Sequence, residues 1–323
     1  MAEQPLQLVV DVAEANLRLD AFLVAHCPDR SRSRIQADLA AGLVTVDGRA
    51  RPKNHRLRAG SEVAYRPAAP RELTASPQDI PLSVVWEDEH LAVIDKPAGL
   101  VVHPSPGHRE GTLVNALLHR FGRVQAGSDP LRPGIVHRLD RQTSGLLVVA
   151  LDERAHRRLQ QQLRDRRMGR TYLTLAWGRW AAAEGTLTGD IGRHPRRRQQ
   201  MAVVERDGRP AVSHYRVLED FAFCQWCEVQ LETGRTHQIR VHFAQGGHPV
   251  VGDPVYGDDK RARGVHALDR AQADRVVRLA RRQLLHAAGL RLEHPVTGRQ
   301  MEFVSPLPAD LAAALAVLRG AGG

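Results

Sequence analysis

The chain has 323 residues, of which 42% are hydrophobic and 25% are charged. This composition is that of a globular protein, and the length predicts two domains. The net charge of +10 favours a polyanionic partner such as nucleic acid. No apolar run approaches the length of a membrane span and the N-terminus has no signal-peptide pattern, so we expect a cytoplasmic protein without a membrane partner.

Residues 1–66 predict a small domain of two helices and a short sheet. A strand-like run precedes two amphipathic helices, and a closing strand ends the region. Between them, Asp47-Gly48 predicts a tight β-hairpin turn, because these residues tolerate the positive φ angles that such turns need. The proline-rich residues 67–80 have little apolar content and are interpreted as a linker.

Residues 81–323 form the second predicted domain, which is organised around one polar loop. The stretch His137–Gly145 ends in a glycine, and the apolar run after it is typical of a buried strand. The loop presents Asp140 between Arg138 and Arg141. Neighbouring cations favour the ionised carboxylate, so Asp140 is a candidate nucleophile or base, with a surface ion pair as the alternative.

Two later residues are candidates for the same site. Tyr172 lies in a predicted strand, where a tyrosine is most often part of the packing. Thr236 is predicted to cap a helix that runs through Gln245. That helix would direct Arg240 at the Asp140 loop, although an ordinary surface arginine is the alternative.

Arginine-rich segments follow the central loop. Residues 153–167 predict a helix capped by Asp152, with arginines crowded on its outer face. Residues 193–198 are a basic cluster before a hairpin whose predicted turn is Asp207-Gly208. This cluster is interpreted as a finger that grips an RNA backbone or, equally, as a solvated loop. A polar insertion at 258–283 carries a further predicted helix at 267–281.

The cysteines do not predict a metal or redox site. Cys224 and Cys227 have the C-x-x-C spacing, but they fall on a predicted strand, where positions three apart point to opposite faces. No second pair completes a zinc set, and the histidines form no compact ligand pattern. We therefore expect structural cysteines and no bound metal.

Five motifs occur in an order that resembles the RluA-type pseudouridine synthases over essentially the whole chain. They lie at residues 95–104, 137–145, 170–172, 231–242 and 252–257, and the central one reads His-Arg-Leu-Asp-x-x-Thr-Ser-Gly. The resemblance implies an α+β fold, with a mixed, largely antiparallel sheet in the synthase domain. The two-helix region before it resembles the S4 RNA-binding domain.

The resemblance also implies a role for each candidate residue. In that family the residue matching Asp140 is catalytic, the residue matching Tyr172 lies against the target base, and the residue matching Arg240 pairs with the aspartate. Arg138 would enter the gap left in the RNA, and Leu139 would line the base pocket. The remaining expected RNA contacts are Arg32, Arg34, Lys53, Arg196 and Arg197. The family's reaction needs no cofactor and no metal.

The implied function is isomerisation of uridine to pseudouridine by base flipping. The implied substrate is 23S ribosomal RNA of the large subunit or its precursor, in the hairpin that touches the decoding region, with the enzyme acting as a monomer. Three alternatives stay open: other ribosomal or transfer RNA uridines, a non-catalytic ribosome assembly factor, and a hydrolase that uses Asp140 as a glycosidase does.

Overall fold

A computed structural model of the chain describes residues 6–27, 32–67, 75–105, 107–122, 124, 131–197, 200–257 and 259–320. Within these ranges the side chains of residues 32–34, 37, 259 and 260 are outside the description. The chain divides into two units, Met1–Leu73 and Thr74–Gly323, and each has its own hydrophobic core. None of the described helices is both long enough and apolar enough to cross a membrane.

The first unit packs two helices on a four-stranded antiparallel sheet of order β1-β4-β2-β3. Asp47 and Gly48 join β2 to β3 with φ angles of 49° and 74°, which confirms the predicted hairpin turn. The elements are β1 (Leu6–Val9), a 3-10 turn (Val12–Glu14), α1 (Leu19–His26), α2 (Arg32–Ala40), β2 (Val44–Val46), β3 (Arg49–Ala50) and β4 (Glu62–Tyr65).

The second unit is built on a ten-stranded sheet of order β10-β9-β11-β12-β8-β13-β7-β6-β5, with β14 paired to β13. All pairings between the described strands are antiparallel except that of β13 with β7. The predicted mixed, largely antiparallel sheet is therefore confirmed. Its strands are β5 (Ser83–Glu87), β6 (Leu91–Lys96), β7 (Ser144–Ala150), β8 (Gly169–Trp177), β9 (Glu184–Arg193), β10 (Met201–Val203), β11 (Arg209–Asp220), β12 (Cys224–Leu231), β13 (Leu285–Glu293) and β14 (Gln300–Val304).

Five described helices cover this sheet, and its core consists of two main clusters and a small third one. Buried residues of α3, α4 and α5 belong to the larger cluster, and those of α6 and α7 belong to the second. Val241 of α5 packs in the third, with Ile191 and Ala211. Their bounds are α3 (Leu113–Phe121), α4 (Glu153–Arg164), α5 (Gln238–Gln245), α6 (Arg270–Leu279) and α7 (Ala309–Leu318), with a 3-10 helix at Asp259–Gly264. Strand β7 is buried at every position, so the loop before it is fixed to the centre of the unit.

The two cysteines of β12 lie on opposite faces of the sheet, as the strand alternation predicted. Cys224 packs in the second cluster, whereas Cys227 packs in the larger one. Both thiols are free, and burial raises the pKa of each, that of Cys227 to about 12. They are therefore packing residues rather than a dithiol pair.

The structure corrects the hairpin predicted at Asp207-Gly208. Strands β10 and β11 do not pair with each other, because each pairs with one side of β9. The hairpin is instead formed by β9 and β10, and the basic cluster belongs to its loop. Asp207 does adopt the positive φ of a turn, at 59°, but turn chemistry reports a local conformation and not which strands pair. The helices predicted at 153–167 and 267–281 are also shorter, as α4 ends at Arg164 and α6 begins at Arg270.

Candidate active site

The loop that carries Asp140 is held from below by a buried lysine. Lys96 ends β6, and its Nζ donates to the carbonyl oxygens of Pro97, Leu100 and Arg141 at 2.8, 3.1 and 3.2 Å. Burial lowers the pKa of this ammonium to about 7, against the opposing effect of the nearby Asp140 charge. The first motif, residues 95–104, therefore packs under the loop.

The glycine that closes the central motif permits a close approach of two strands. Gly145 has a φ of 109°, and a Cβ there would lie 2.2 Å from the carbonyl oxygen of Ala287. This contact is part of the parallel pairing of β7 with β13. A side chain at Gly145 would thus separate the strand behind Asp140 from its neighbour.

Arg240 bridges two carboxylates. Its Nη1 donates to Asp140 Oδ2 at 3.0 Å, while its Nε and Nη2 donate to the two oxygens of Asp253 at 2.7 and 2.9 Å. Burial disfavours the charge of Arg240, but the hydrogen bonds and charges of both carboxylates outweigh burial and raise the pKa of its guanidinium. The predicted approach of Arg240 to Asp140 is confirmed, and Asp253 is a partner that the sequence did not reveal.

The helix that carries Arg240 begins differently from the prediction. Thr236 does not cap α5; the position before its first residue is His237, which has a left-handed φ of 58° and makes no side-chain cap. The amide oxygen of Gln238 instead accepts the Arg235 backbone N–H and the Thr233 hydroxyl, at 3.0 and 2.8 Å. A threonine before an apolar run was a reasonable cap signal, but this turn is closed by the Gln238 side chain.

His237 places a neutral imidazole beside Asp140. The Tyr256 hydroxyl accepts the Met201 backbone N–H and is hydrogen-bonded to His237 Nδ1, at 2.8 Å in each case. The other ring nitrogen of His237, Nε2, lies 4.0 Å from Asp140 Oδ2. Burial lowers the pKa of His237, which keeps the ring uncharged at neutral pH.

Tyr172 and Arg170 lie on one face of β8. Both are buried, at 5% and 8% exposure, and alternate with more exposed neighbours along the strand. Burial raises the pKa of the Tyr172 phenol; the charge of Arg170 opposes this shift, and that of Asp140 adds to it. The phenol is therefore protonated at neutral pH.

These side chains line one cleft of about 720 Å³. Arg138, Leu139, Asp140, Tyr172 and Arg240, five of the residues predicted for the site, meet there. Seven arginines and two carboxylates are among the residues that line the cleft, which makes it strongly basic. They are Arg132, Arg138, Arg164, Arg166, Arg170, Arg235, Arg240, Asp140 and Glu232.

The other predicted RNA contacts lie outside this cleft or outside the description. Arg196 and Arg197 are exposed on the β9–β10 loop, where their backbone N–H groups donate to His194 Nδ1. Lys53 is exposed in the first unit. The side chains of Arg32 and Arg34, on α2, lie outside the described residues.

The described residues contain no group of three His, Cys, Asp or Glu side chains arranged to hold a metal ion. Arg240 and Glu232, which line the cleft with Asp140, are engaged in ion pairs instead. Glu232, the other acid of the cleft, binds Arg166 and His214. The cleft is thus a basic pocket with one carboxylate, Asp140, at its centre.

Comparison with known proteins identifies the class of enzyme. Residues 90–245 match the family model for RNA pseudouridylate synthases. The chain belongs to this family, in its RluA-type branch, and it is an RNA pseudouridine synthase, as the resemblance predicted.

Full-length relatives support this assignment. The chain is 49% identical over 306 residues to an uncharacterized RNA pseudouridine synthase of Chloroflexus aurantiacus, with 94% of this chain and 90% of that protein covered. It is 44% identical over 318 residues to the ribosomal large subunit pseudouridine synthase D of Pseudomonas aeruginosa, with 98% and 95% covered. The human RNA pseudouridylate synthase domain containing 1 structure superposes with a TM-score of 0.52 at 26% identity, covering 78% of this chain and 98% of that one.

Proposed function

We propose that this enzyme converts uridine to pseudouridine in the 23S RNA of the large ribosomal subunit or its precursor, acting as a cytoplasmic monomer with Asp140 as the nucleophile. The observation that supports this most directly is the Asp140–Arg240 ion pair in a basic cleft beside Tyr172. Relatives that cover nearly the whole chain are named as ribosomal large subunit synthases.

The reaction requires that the base leave its helical stack. Uracil is joined to ribose through N1 in uridine and through C5 in pseudouridine, so one glycosidic bond breaks, the base turns, and another forms. A stacked base cannot turn, and flipping it out costs a few kcal/mol. The cleft of about 720 Å³ has room for one flipped nucleotide.

Asp140 supplies the anionic oxygen. Its Oδ2 accepts the Arg240 N–H, and no described residue hydrogen-bonds to its Oδ1, which leaves that oxygen for the substrate. Arg240 keeps the carboxylate ionised and fixes its orientation. The nucleophile attacks the anomeric carbon of the ribose, and the uracil ring is the alternative point of attack.

The other cleft residues hold the flipped nucleotide. Tyr172 lies against the base as a neutral phenol and assists removal of the C5 proton, and the buried Leu139 lines the pocket wall. Arg138 is exposed at the rim, where it enters the gap in the RNA and holds its backbone. These assignments follow the family resemblance and agree with the burial of each side chain.

The RNA outside the pocket is bound through phosphate contacts. The exposed arginines of α4 and of the β9–β10 loop supply positive charge on the surface of the second unit. Those of the loop include Arg196 and Arg197. The first unit is proposed to be an S4 RNA-binding domain, with Arg32, Arg34 and Lys53 on the RNA. Such contacts release counterions, so RNA affinity falls steeply as salt rises.

The proposed target is the large-subunit hairpin that touches the decoding region. Other ribosomal or transfer RNA uridines are a second candidate substrate, because the name of the relative with 49% identity specifies RNA and no particular target. Mapping pseudouridines in RNA from cells with and without the gene separates the two. Loss of modification at positions outside that hairpin would refute the first.

Two other functions are less well supported. A glycosidase-like hydrolase needs a second carboxylate as its acid, and the other acid of the cleft, Glu232, is bound by Arg166. A protein that only binds RNA as an assembly factor does not require Asp140, Tyr172 and Arg240 to lie in one pocket, as they do here.

Tritium release from RNA labelled at C5 of uridine tests all three functions. Isomerisation releases the label and leaves the base attached, hydrolysis frees labelled uracil, and binding alone does neither. Asp140→Asn should abolish release while leaving RNA affinity nearly unchanged, because the amide keeps the shape of the carboxylate. Wild-type protein that binds ribosomal RNA and releases no tritium would contradict the proposal.

A further inference from the structure

Arg170 is a buried cation for which the described part of the protein offers no carboxylate. It is 8% exposed, and its Nε is buried without a hydrogen-bond partner in the protein. Its Nη2 makes one long bond, 3.5 Å, to the carbonyl oxygen of Leu231. Burial lowers the pKa of the guanidinium, yet an arginine stays charged at any physiological pH.

Other buried arginines of this unit are neutralised. Arg240 binds Asp253 and Asp140, and Arg282 binds both oxygens of Asp310 at 2.6 and 2.9 Å. A buried charge without a counter-charge destabilises the folded state. Retention of such a charge in a binding cleft is expected where a bound molecule supplies the missing negative charge.

The position of Arg170 indicates which part of the substrate it meets. It stands two residues before Tyr172 on the same face of β8, and both line the cleft. The charges of Arg170 and Asp140 both affect the pKa of the Tyr172 phenol. The exposed arginines of the rim are placed for phosphates, whereas Arg170 lies deep in the cleft, beside the residue assigned to the flipped base.

A nucleobase in this place becomes anionic during the reaction. When the N1–C1′ bond breaks, its electron pair leaves with the base, and the negative charge is shared by N1, O2 and O4. The charge on the base is consumed when C5 bonds to C1′; the bond between Asp140 and C1′ breaks in the same step and returns the electron pair to the carboxylate, and C5 then loses its proton. If Asp140 adds to C6 instead, the electron pair of the C5–C6 double bond moves toward O4, so a carbonyl oxygen becomes negative by either route.

We propose that Arg170 donates a hydrogen bond to a carbonyl oxygen of the flipped uracil and stabilises the negative charge that develops on the base. This inference rests on the proposed function. A preorganised donor that meets developing charge in a water-poor site acts mainly on the transition state. Arg170 should therefore affect the rate of the chemical step and not the affinity for RNA.

The test is single-turnover tritium release with saturating enzyme, combined with filter binding at several salt concentrations. Arg170→Met should lower the rate constant about 10²–10³-fold, the loss typical of a missing oxyanion donor. Its RNA affinity and salt dependence should match wild type, and its melting temperature should be equal or higher, because an uncompensated buried charge is gone. Arg170→Lys, which keeps the charge, should lose less.

Two further variants sharpen the assignment. Arg138→Met, at the rim, should weaken RNA binding and reduce the salt dependence. Gly234→Ala keeps Arg170 but places a methyl group 2.7 Å from its present Nη1 position, so the guanidinium must move. This variant should slow the reaction without changing RNA affinity.

Each other outcome has a definite meaning. A weaker, less salt-dependent Arg170→Met complex with an unchanged rate at saturation would make Arg170 a phosphate contact and overturn the inference. A lower melting temperature with full activity in the folded fraction would make it a structural residue, with the same consequence. If wild-type enzyme releases tritium and Arg170→Met equals it, the inference alone fails; if wild type releases none, the proposed function fails first.

Discussion

The Arg240–Asp253 pair gives a quantitative prediction about stability. Asp253 is fully buried and binds Arg240 through two hydrogen bonds of 2.7 and 2.9 Å. Asp253→Asn removes the charge but keeps an oxygen that can accept the Val255 and Tyr256 backbone N–H groups, which Asp253 Oδ1 accepts now. The substitution should therefore report the loss of the buried charge, with little change in shape.

Breaking a buried ion pair by removing one partner costs about 3–5 kcal/mol. We expect the free energy of unfolding of Asp253→Asn to fall by about that amount, because Arg240 is left with Asp140 as its single carboxylate. Arg240→Met should lower the free energy of unfolding by a similar amount, since it leaves the buried Asp253 carboxylate without its arginine. The double variant should be more stable than the sum of the two losses predicts, because it also removes the charged partner that each single variant leaves behind.

Urea denaturation followed by circular dichroism measures all three variants. Glu219→Gln is a matched control, because Glu219 forms an ion pair with Arg319 at the surface, and such pairs contribute little. The reasoning is wrong if Asp253→Asn costs less than about 1 kcal/mol, or if the losses of the single variants simply add.

Three further predictions concern His137, Gly145 and the cysteines. Burial lowers the pKa of His137 from 6.5 to about 3, and the charge of Arg170 adds to this shift. As the pH falls, the unfolded state therefore binds the proton before the folded state does, and the free energy of unfolding should drop by about 2 kcal/mol between pH 6.5 and 5. In urea denaturation, His137→Gln should flatten the dependence of the midpoint on pH. Gly145→Ala should lower the free energy of unfolding by about 3 kcal/mol, measured by thermal melts. Gly298→Ala should lower it clearly less, because Gly298 also has a positive φ but is surrounded by open space. Equal losses would contradict the close-contact argument. Cys224 and Cys227 should resist a thiol reagent at pH 8 until urea unfolds the chain, and a fast native reaction would contradict their burial.

The sequence predicted features that depend on local pattern. The apolar run after Asp140 became the fully buried β7, and the alternation of β12 separated its two cysteines. The meeting of Asp140 with Arg240, 100 residues later in the chain, was predicted from the helix position together with the family resemblance, and the two side chains are 3.0 Å apart.

Features that depend on contacts through space were missed. Asp253 lies in the motif at 252–257, but nothing in the neighbouring sequence shows that its carboxylate reaches Arg240. Arg170 lies in the motif at 170–172, and a sequence cannot show that a cation lacks a partner. Local rules predict a cap at Thr236 and a hairpin at Asp207-Gly208, but the first turn is closed by the Gln238 side chain and the second is overruled by the pairing of β9 with both β10 and β11.

Strand β13 lies between β7 and β8, although it follows both in the chain by more than a hundred residues. Strand β7, which follows the Asp140 loop, and strand β8, which bears Tyr172, therefore do not pair with each other directly and are joined through β13. During synthesis, the growing polypeptide can complete its reaction centre only after residue 293 has emerged from the ribosome. A fragment released earlier would contain Asp140 and Tyr172 without the strand that joins the parts of the sheet that carry them.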